Sequence, residues 1–140
     1  MEMIETYVVS GIGYHPFLIR EGWQLAQLNY IESQHIDQIF HLDVHRHTDE
    51  VFVLIKGQAV LIGATIHNGE PIFEAELMRS DVIYNIPQGR WHNIAMEEGS
   101  EVLIAEKSNT HVSDFEQFQL NKTQVRESRN LVKNFLDSEI

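Results

Sequence analysis

The feature that most constrains the fold is a series of short apolar segments separated by turn residues between Trp23 and Lys107. Each segment is bounded by Gly, by Pro or by other turn-forming residues. The clearest turn is Asn68-Gly69, because Asn-Gly suits the type I′ turn of a β-hairpin. Short strands with turns at this spacing are typical of a β-sandwich or β-barrel. The sequence therefore predicts an all-β domain.

Polar side chains alternate along one of these segments, residues 39–47. The alternating positions are His41, Asp43, His45 and His47. On a strand they share one face, because strand side chains alternate with a period of two. A corner at Thr48-Asp49 follows, and a second strand begins at Glu50 and ends before Gly57. Imidazoles and carboxylates at a strand corner can bind a divalent metal, although a polar strand face in water gives the same alternation.

A second strand–turn–strand unit follows about forty residues downstream. A strand over 81–86 leads into the turn Pro87-Gln88-Gly89, and Trp91-His92-Asn93 begins the next strand. This unit contributes one more imidazole, that of His92.

These two units resemble the two conserved motifs of the cupin superfamily. The first motif ends in Glu, six residues and Gly, and Glu50 and Gly57 have that spacing. The second contains Pro-x-Gly, two residues and His, which Pro87 to His92 match. The stretch Thr48 to Phe52, TDEVF, is similar to small single-domain cupins. The resemblance implies an all-β, cupin-like double-stranded β-helix, or jelly-roll barrel, with a C-terminal α-helix.

The length of 140 residues predicts one domain over residues 1–140. An N-terminal strand and loops would occupy 1–22, with the strand at Ile4 to Val9. The barrel core would span 23–107, and the C-terminal helix 121–137. Val125, Leu131 and Phe135 have helical spacing there, and Asn121 and Thr123 are the two candidate N-caps.

Two alignments of the first motif are open. The family leaves three or four residues between its second His and its Glu, which His45 satisfies with four, and Asp43 then takes the first-His position. The alternative pairs His45 with His47 but leaves only two residues before Glu50. The first alignment needs no deletion and is preferred. The resemblance then implies that Asp43, His45, Glu50 and His92 bind the metal.

Two carboxylates and two imidazoles suit a divalent ion of iron, manganese, zinc or nickel. Open positions on such an ion could assist isomerisation, elimination or hydrolysis, and iron could activate dioxygen. His47 and His41 share the strand face of the ligands and are predicted to act as general acid or base.

Composition excludes several classes of function. The formal net charge is −11, from 10 basic and 21 acidic residues, so nucleic acid and membrane surfaces are not expected partners. No apolar run reaches the roughly 18 residues of a transmembrane helix. Zero cysteines exclude disulfides and thiolate chemistry. The acidic N-terminus does not resemble a signal peptide, and we expect a cytoplasmic protein.

The face opposite the predicted ligands bears on oligomeric state. Turning Asp43 and His45 inward turns Leu42 and Val44 outward, and apolar residues on an outer face need cover. The C-terminal helix or the N-terminal segment could cover them, but cupin-like domains often pair through such faces. We therefore predict a homodimer.

Three functions remain open from the sequence. The first is a metal-dependent enzyme, of isomerase, lyase or oxygenase type, acting on a small polar metabolite such as a sugar derivative or an organic acid. The second is a non-catalytic module that binds such a small molecule. The third is a structural protein, which the sequence supports least.

Overall fold

A computed structural model of the chain describes residues 2–137, with side chains as far as residue 136. Ten strands occur in that range: β1 Gly13–Arg20, β2 Trp23–Asn29, β3 His41–Val44, β4 Glu50–Lys56, β5 Ala59–His67, β6 Glu70–Leu77, β7 Ile83–Ile86, β8 Trp91–Met96, β9 Glu101–Glu106 and β10 Glu116–Gln119. The helices are α1 Thr110–Ser113, α2 Lys122–Asp137 and two short 3₁₀ helices at Glu32–Gln34 and Ile36–Gln38.

The strands form two five-stranded sheets. The first has the order β1-β2-β9-β4-β7 and the second β10-β3-β8-β5-β6. All neighbouring strands are antiparallel. The predicted all-β fold with a C-terminal helix is confirmed. No helix described within residues 2–137 has the length and apolar character needed to span a bilayer.

The main core consists of apolar side chains from both sheets. Its buried members are Ala26, Leu28, Phe52, Leu54, Ala59, Leu61, Met78, Ile94, Met96, Val102 and Ile104. Alternate residues of β4 and β9, such as Phe52 and Ile104, belong to this core. The two sheets therefore pack face to face through one side of each strand.

A second apolar cluster involves the other face of the second sheet. It joins Leu42, Val60 and Ile62 to Val132 of α2, and Leu131 and Phe135 pack against it. The helix is held at its start by a reciprocal pair of hydrogen bonds: Asn121 Oδ1 accepts from Gln124 N (2.8 Å), and Gln124 Oε1 accepts from Asn121 N (3.0 Å). This is the capping-box arrangement, with the predicted Asn121 as the cap.

Leu42 and Val44 are fully buried within the single chain. The cover for this face is therefore intramolecular, and Val132 of α2 supplies part of it. Leu42 and Val44 therefore give no support for a dimer, because neither is exposed. The homodimer stays a prediction.

The N-terminal part of the fold differs from expectation. Ile4 to Val9 does not form a strand, and the first strand is β1, which contains Pro16. Proline lacks the backbone N–H of a central strand but is tolerated at a sheet edge, where β1 lies. The pairing with β2 shifts register between Pro16 and Leu18, which absorbs the irregularity.

Gly57 ends β4 in a conformation that favours glycine, with φ at +89°. A Cβ placed there would lie 2.6 Å from the Cα of Ser100. We expect Gly57→Ala to lower the free energy of unfolding by at least about 2 kcal/mol, because left-handed strain of about 1–2 kcal/mol adds to a backbone clash. Urea denaturation followed by circular dichroism measures the change.

Gly22 provides a matched control. Its φ is +90°, but a Cβ there meets no atom of the described residues within 4 Å. Gly22→Ala should therefore cost only the conformational strain, about 1–2 kcal/mol. Equal losses for the two variants would show that the contact with Ser100 is unimportant.

Candidate metal centre

A cavity of about 260 Å³ lies between the two sheets. Much of its wall is apolar, with Leu28, Phe52 and Ile104 from the first sheet and Ile94 from the second. Polar and titratable side chains line the rest: Tyr14, Gln34, Asp43, His45, Glu50, His92, Asn93, Glu106, His111 and Gln117. The cavity therefore combines an apolar wall with a concentrated polar region.

Three predicted ligands converge in that polar region. His45 follows β3, Glu50 is the first residue of β4, and His92 is the second residue of β8. One ligand atom from each lies within 4.8 Å of the other two. Glu50 Oε1 is 2.7 Å from His92 Nε2 and 3.3 Å from His45 Nε2. These atoms form a compact three-residue group, called here the His-Glu-His group.

Backbone carbonyls fix the orientation of both rings. His45 Nδ1 is 2.7 Å from the carbonyl oxygen of Asp114, and His92 Nδ1 is 3.1 Å from that of Arg90. A carbonyl oxygen only accepts, so Nδ1 must carry the proton in both rings. In a neutral imidazole, Nε2 then presents a lone pair. Metal-bound histidines show this pattern, in which the second ring nitrogen donates to a carbonyl or a carboxylate.

The His-Glu-His group fits a divalent ion. Glu50 Oε1 is buried and has no hydrogen-bond partner among residues 2–137, so its two short contacts with Nε2 atoms lack hydrogen-bond geometry. The carboxylate oxygen and the two Nε2 atoms are therefore close enough together to bind one divalent ion.

Without an ion, these groups perturb each other strongly. Burial alone would raise the pKa of Glu50, but His45 and His92 together lower it well below its ordinary value. Burial alone would lower the pKa of His45, but Glu50, the Asp114 carbonyl and Glu106 raise it to about 9. Burial and the charge of Glu50 raise the pKa of Glu106 to about 7. The site therefore favours positive charge beside its carboxylates.

The segment after β3 is anchored by Asp114, which lies between α1 and β10. Its Oδ1 accepts a hydrogen bond from Arg46 N and its Oδ2 from His47 N, both at 2.9 Å. Its carbonyl holds His45, as described above. One aspartate therefore fixes both the loop and the ligand that the loop carries.

The Thr48-Asp49 corner connects the two sequence motifs. Asp49 Oδ1 accepts from Gln88 N (2.9 Å) and its Oδ2 from the Asn85 side chain (3.1 Å). Thr48 Oγ1 accepts from Lys107 N at 3.0 Å. The two Asp49 bonds tie the start of β4 to the turn before His92, and the Thr48 bond ties it to the residue after β9.

The other predicted site residues lie around this centre. Asp43 lines the cavity and pairs in register with His92, but it is not part of the His-Glu-His group. His41 Nε2 is 3.5 Å from Asp43 Oδ2, and this contact raises the pKa of His41. His47 is exposed, and its side chain is not among those that line the cavity within residues 2–137. The roles of Asp43, His41 and His47 stay predictions.

A polar network that the sequence patterns do not indicate lies beside the metal centre. Tyr14 OH donates to Glu106 Oε1 at 2.6 Å, and Gln24 Nε2 is 3.2 Å from the same oxygen. Gln24 Nε2 is also 3.1 Å from His111 Nδ1. One signal was present: Glu106 continues the alternation of Val102 and Ile104. Tyr14, Gln24 and His111 lie in segments without such a pattern.

Removing the His45 ring should change how stability depends on pH. The pKa of His45 is raised from 6.5 to about 9, so its stabilising contribution is complete below about pH 6.5 and is lost as pH rises through about 9. His45→Asn keeps a donor for the Asp114 carbonyl but carries no charge. In chelator-treated protein, the substitution should therefore lower the free energy of unfolding more at about pH 6 than at about pH 9.5.

Urea denaturation of both proteins at both pH values measures this difference. The lowered pKa of Glu50 adds no pH dependence in this range, because that contribution is lost only in acid. An equal loss at the two pH values would contradict a charged contact between His45 and Glu50.

Comparison with known proteins gives likenesses in structure alone. No protein-family model matches the sequence, and no curated protein matches it either. BH2720 from Bacillus halodurans matches with a TM-score of 0.53 at 14% identity, over 74% of this chain and 82% of that protein. The capsular polysaccharide assembling protein CapF from Staphylococcus aureus matches with a TM-score of 0.52 at 17% identity. That match covers 81% of this chain but only 34% of CapF.

WlaRB, a TDP-quinovose 3,4-ketoisomerase from Campylobacter jejuni, matches with a TM-score of 0.50 at 13% identity, over 74% of this chain and 73% of WlaRB. At these identities the likenesses show the fold and not the activity. The fold agrees with the one that the two sequence motifs imply: this chain has the two-sheet β-fold of the cupin type, with a C-terminal helix.

Proposed function

We propose that this chain is a metal-dependent enzyme that acts on a small polar metabolite, such as a sugar derivative or an organic acid. The observation that carries the proposal is the His-Glu-His group. Its two Nε2 atoms and one carboxylate oxygen lie close together, and both Nδ1 atoms are committed to backbone carbonyls. Imidazole and carboxylate ligands suit iron, manganese, zinc or nickel.

The cavity supports a small substrate. Its volume, about 260 Å³, is slightly below the roughly 300 Å³ at which pockets for drug-sized ligands begin. Gln117 provides an amide group in its wall, and Asp43 provides a carboxylate. Such groups orient hydroxyl or carboxylate groups of a metabolite, while Phe52 and Ile94 exclude water from part of the wall.

The chemistry follows from the site's residues. A bound divalent ion supplies electrostatic activation of a substrate oxygen or of water. Asp43 lines the cavity, and its Oδ2 is 3.5 Å from Nε2 of the half-buried His41. Asp43 can accept a proton from a substrate at its carboxylate, and the contact with His41 holds that carboxylate in place. This pair supports isomerisation or elimination, which both require proton transfer.

The first test of the proposal is metal content. Protein purified without a polyhistidine tag should contain about one divalent ion per chain, because one His-Glu-His group can bind one ion. His92→Phe keeps a ring beside Phe52 but removes a ligand, and it should lower the affinity by more than about tenfold. Elemental analysis and calorimetric titration measure content and affinity.

His47→Ala is the matched control, since His47 belongs to the same motif but is exposed. It should bind metal as the wild-type protein does. Wild-type protein that binds no divalent ion, or that binds equally well after His92→Phe, would overturn the proposed metal centre.

The second test is turnover. Metal-loaded protein should convert at least one member of a panel of keto sugars and organic acids, followed by NMR. Asp43→Asn should abolish most of this turnover while metal remains bound, because the amide cannot accept the proton. Saturable binding of a panel member without any conversion would instead support a non-catalytic binding module.

A further inference from the structure

A second buried carboxylate adjoins the His-Glu-His group. Glu106 is the last residue of β9, and its side chain is 2% exposed. Its Oε2 lies 3.9 Å from His45 Nε2 and has no hydrogen-bond partner among residues 2–137. Burying a carboxylate oxygen without a hydrogen-bond partner costs free energy, so a nearby positive charge or proton is needed to offset that cost.

Glu106 on β9 is opposite Glu50 on the neighbouring strand β4 of the same sheet, by extension of their pairing register. The register that pairs Val51 with Ala105 continues to Glu50 and Glu106, so the two carboxylates share the inner face of neighbouring strands. Like charges at directly opposite positions are destabilising. Each carboxylate also has an oxygen without a hydrogen-bond partner in the described residues, and both approach the same Nε2 of His45.

A shared proton or a cation can relieve this repulsion. The lone pairs of His45 and His92 favour the cation, because they face the same region and Nδ1 holds the proton of each ring. A divalent ion between two carboxylates and two imidazoles would neutralise both charges. This arrangement also supplies a partner for each unpaired oxygen.

The other oxygen of Glu106 is already held in place. Oε1 accepts from Tyr14 OH at 2.6 Å and lies 3.2 Å from Gln24 Nε2. Gln24 is fully buried, and its own Oε1 accepts from Asn109 N at 2.8 Å. Such outer hydrogen bonds orient metal-binding carboxylates. They leave Oε2 directed toward His45.

Asp43, the fourth ligand that the motif alignment implies, lies in a different environment. Its side chain is 29% exposed, and its Oδ2 already contacts His41 at 3.5 Å. Its carboxylate therefore has access to water as well as the His41 contact, whereas the Glu106 oxygen is buried and has only a longer contact, 3.9 Å, with His45, which Glu50 approaches more closely at 3.3 Å. The need for an ion is greater at Glu106.

We propose that Glu106, through Oε2, is the fourth protein ligand of the metal centre. The inference rests on the proposed function, since it requires the His-Glu-His group to bind metal. The donor set is then two imidazoles and two carboxylates, as the sequence predicts, but with Glu106 in the position assigned to Asp43. Asp43 remains free for proton transfer.

Titration with Zn²⁺ and Mn²⁺ tests the assignment in chelator-treated full-length protein. Glu106→Gln keeps the side-chain size but removes the charge, and it should weaken binding of both metals by more than about tenfold. Asp43→Asn, the matched control, should leave both affinities near the wild-type values. Calorimetry measures all three proteins under the same conditions.

Stability without metal separates loss of a ligand from misfolding. Metal-free Glu106→Gln should unfold at or above the urea midpoint of the metal-free wild-type protein, because it removes one of two facing carboxylates. It should then gain less from added Zn²⁺ than the wild-type protein does.

The outcomes distinguish this assignment from the metal centre itself. Normal affinity in Glu106→Gln together with weak binding in Asp43→Asn would make Asp43 the ligand and overturn the inference, while the metal centre stands. Absence of metal binding by the wild-type protein would instead overturn the proposed function, and this inference with it.

Discussion

Burial of the Glu50 carboxylate is the constraint on which the structure around the cavity depends. An ionised carboxylate in an apolar surrounding is strongly unfavourable unless charge or hydrogen bonds compensate it. Glu50 is buried on the same inner face of β4 as Phe52, and the basic side chains that contact its carboxylate are those of His45 and His92. The segments that orient these two rings therefore decide whether Glu50 can stay ionised where it is.

Those segments come from distant parts of the chain. The Asp114 side chain binds the loop after β3, its carbonyl holds His45, and Asp49 binds the turn that precedes His92. The main apolar core adjoins the cavity, since Leu28, Phe52, Ile94 and Ile104 belong to both, and the second apolar cluster lies beneath α2. These two apolar clusters maintain the sheets while the polar part of the cavity concentrates charge. The free-energy cost of burying charge at the site is thus offset by apolar packing around it.

Sequence patterns predicted the elements with strong local signals. The bounds of β4 and the start of β8 agree with expectation, because each strand follows a clear turn and β4 is an apolar run that ends before Gly57. Strand β1 was missed, because Pro16 resembles a break although the sheet edge tolerates it. Strand β10 was missed for another reason: its residues EQFQ are mostly exposed and carry no apolar pattern.

The residues of the candidate site were likewise predicted only in part. Motif spacing brought His45, Glu50 and His92 together as possible partners, and the structure places them in contact. Spacing could not reveal Asp114 or Glu106, because their roles arise from pairing between segments far apart in sequence. Glu106 ends a strand whose inward residues are apolar, so local pattern indicated core packing. Its proximity to Glu50 follows only from the β4–β9 register.

A crystal structure of the Zn²⁺-loaded protein, with anomalous scattering to locate the ion, tests the metal centre most directly. We predict one ion about 2.0–2.3 Å from Nε2 of His45, Nε2 of His92 and a carboxylate oxygen of Glu50. An ion bound elsewhere on the chain, with this cavity empty of metal, would contradict it.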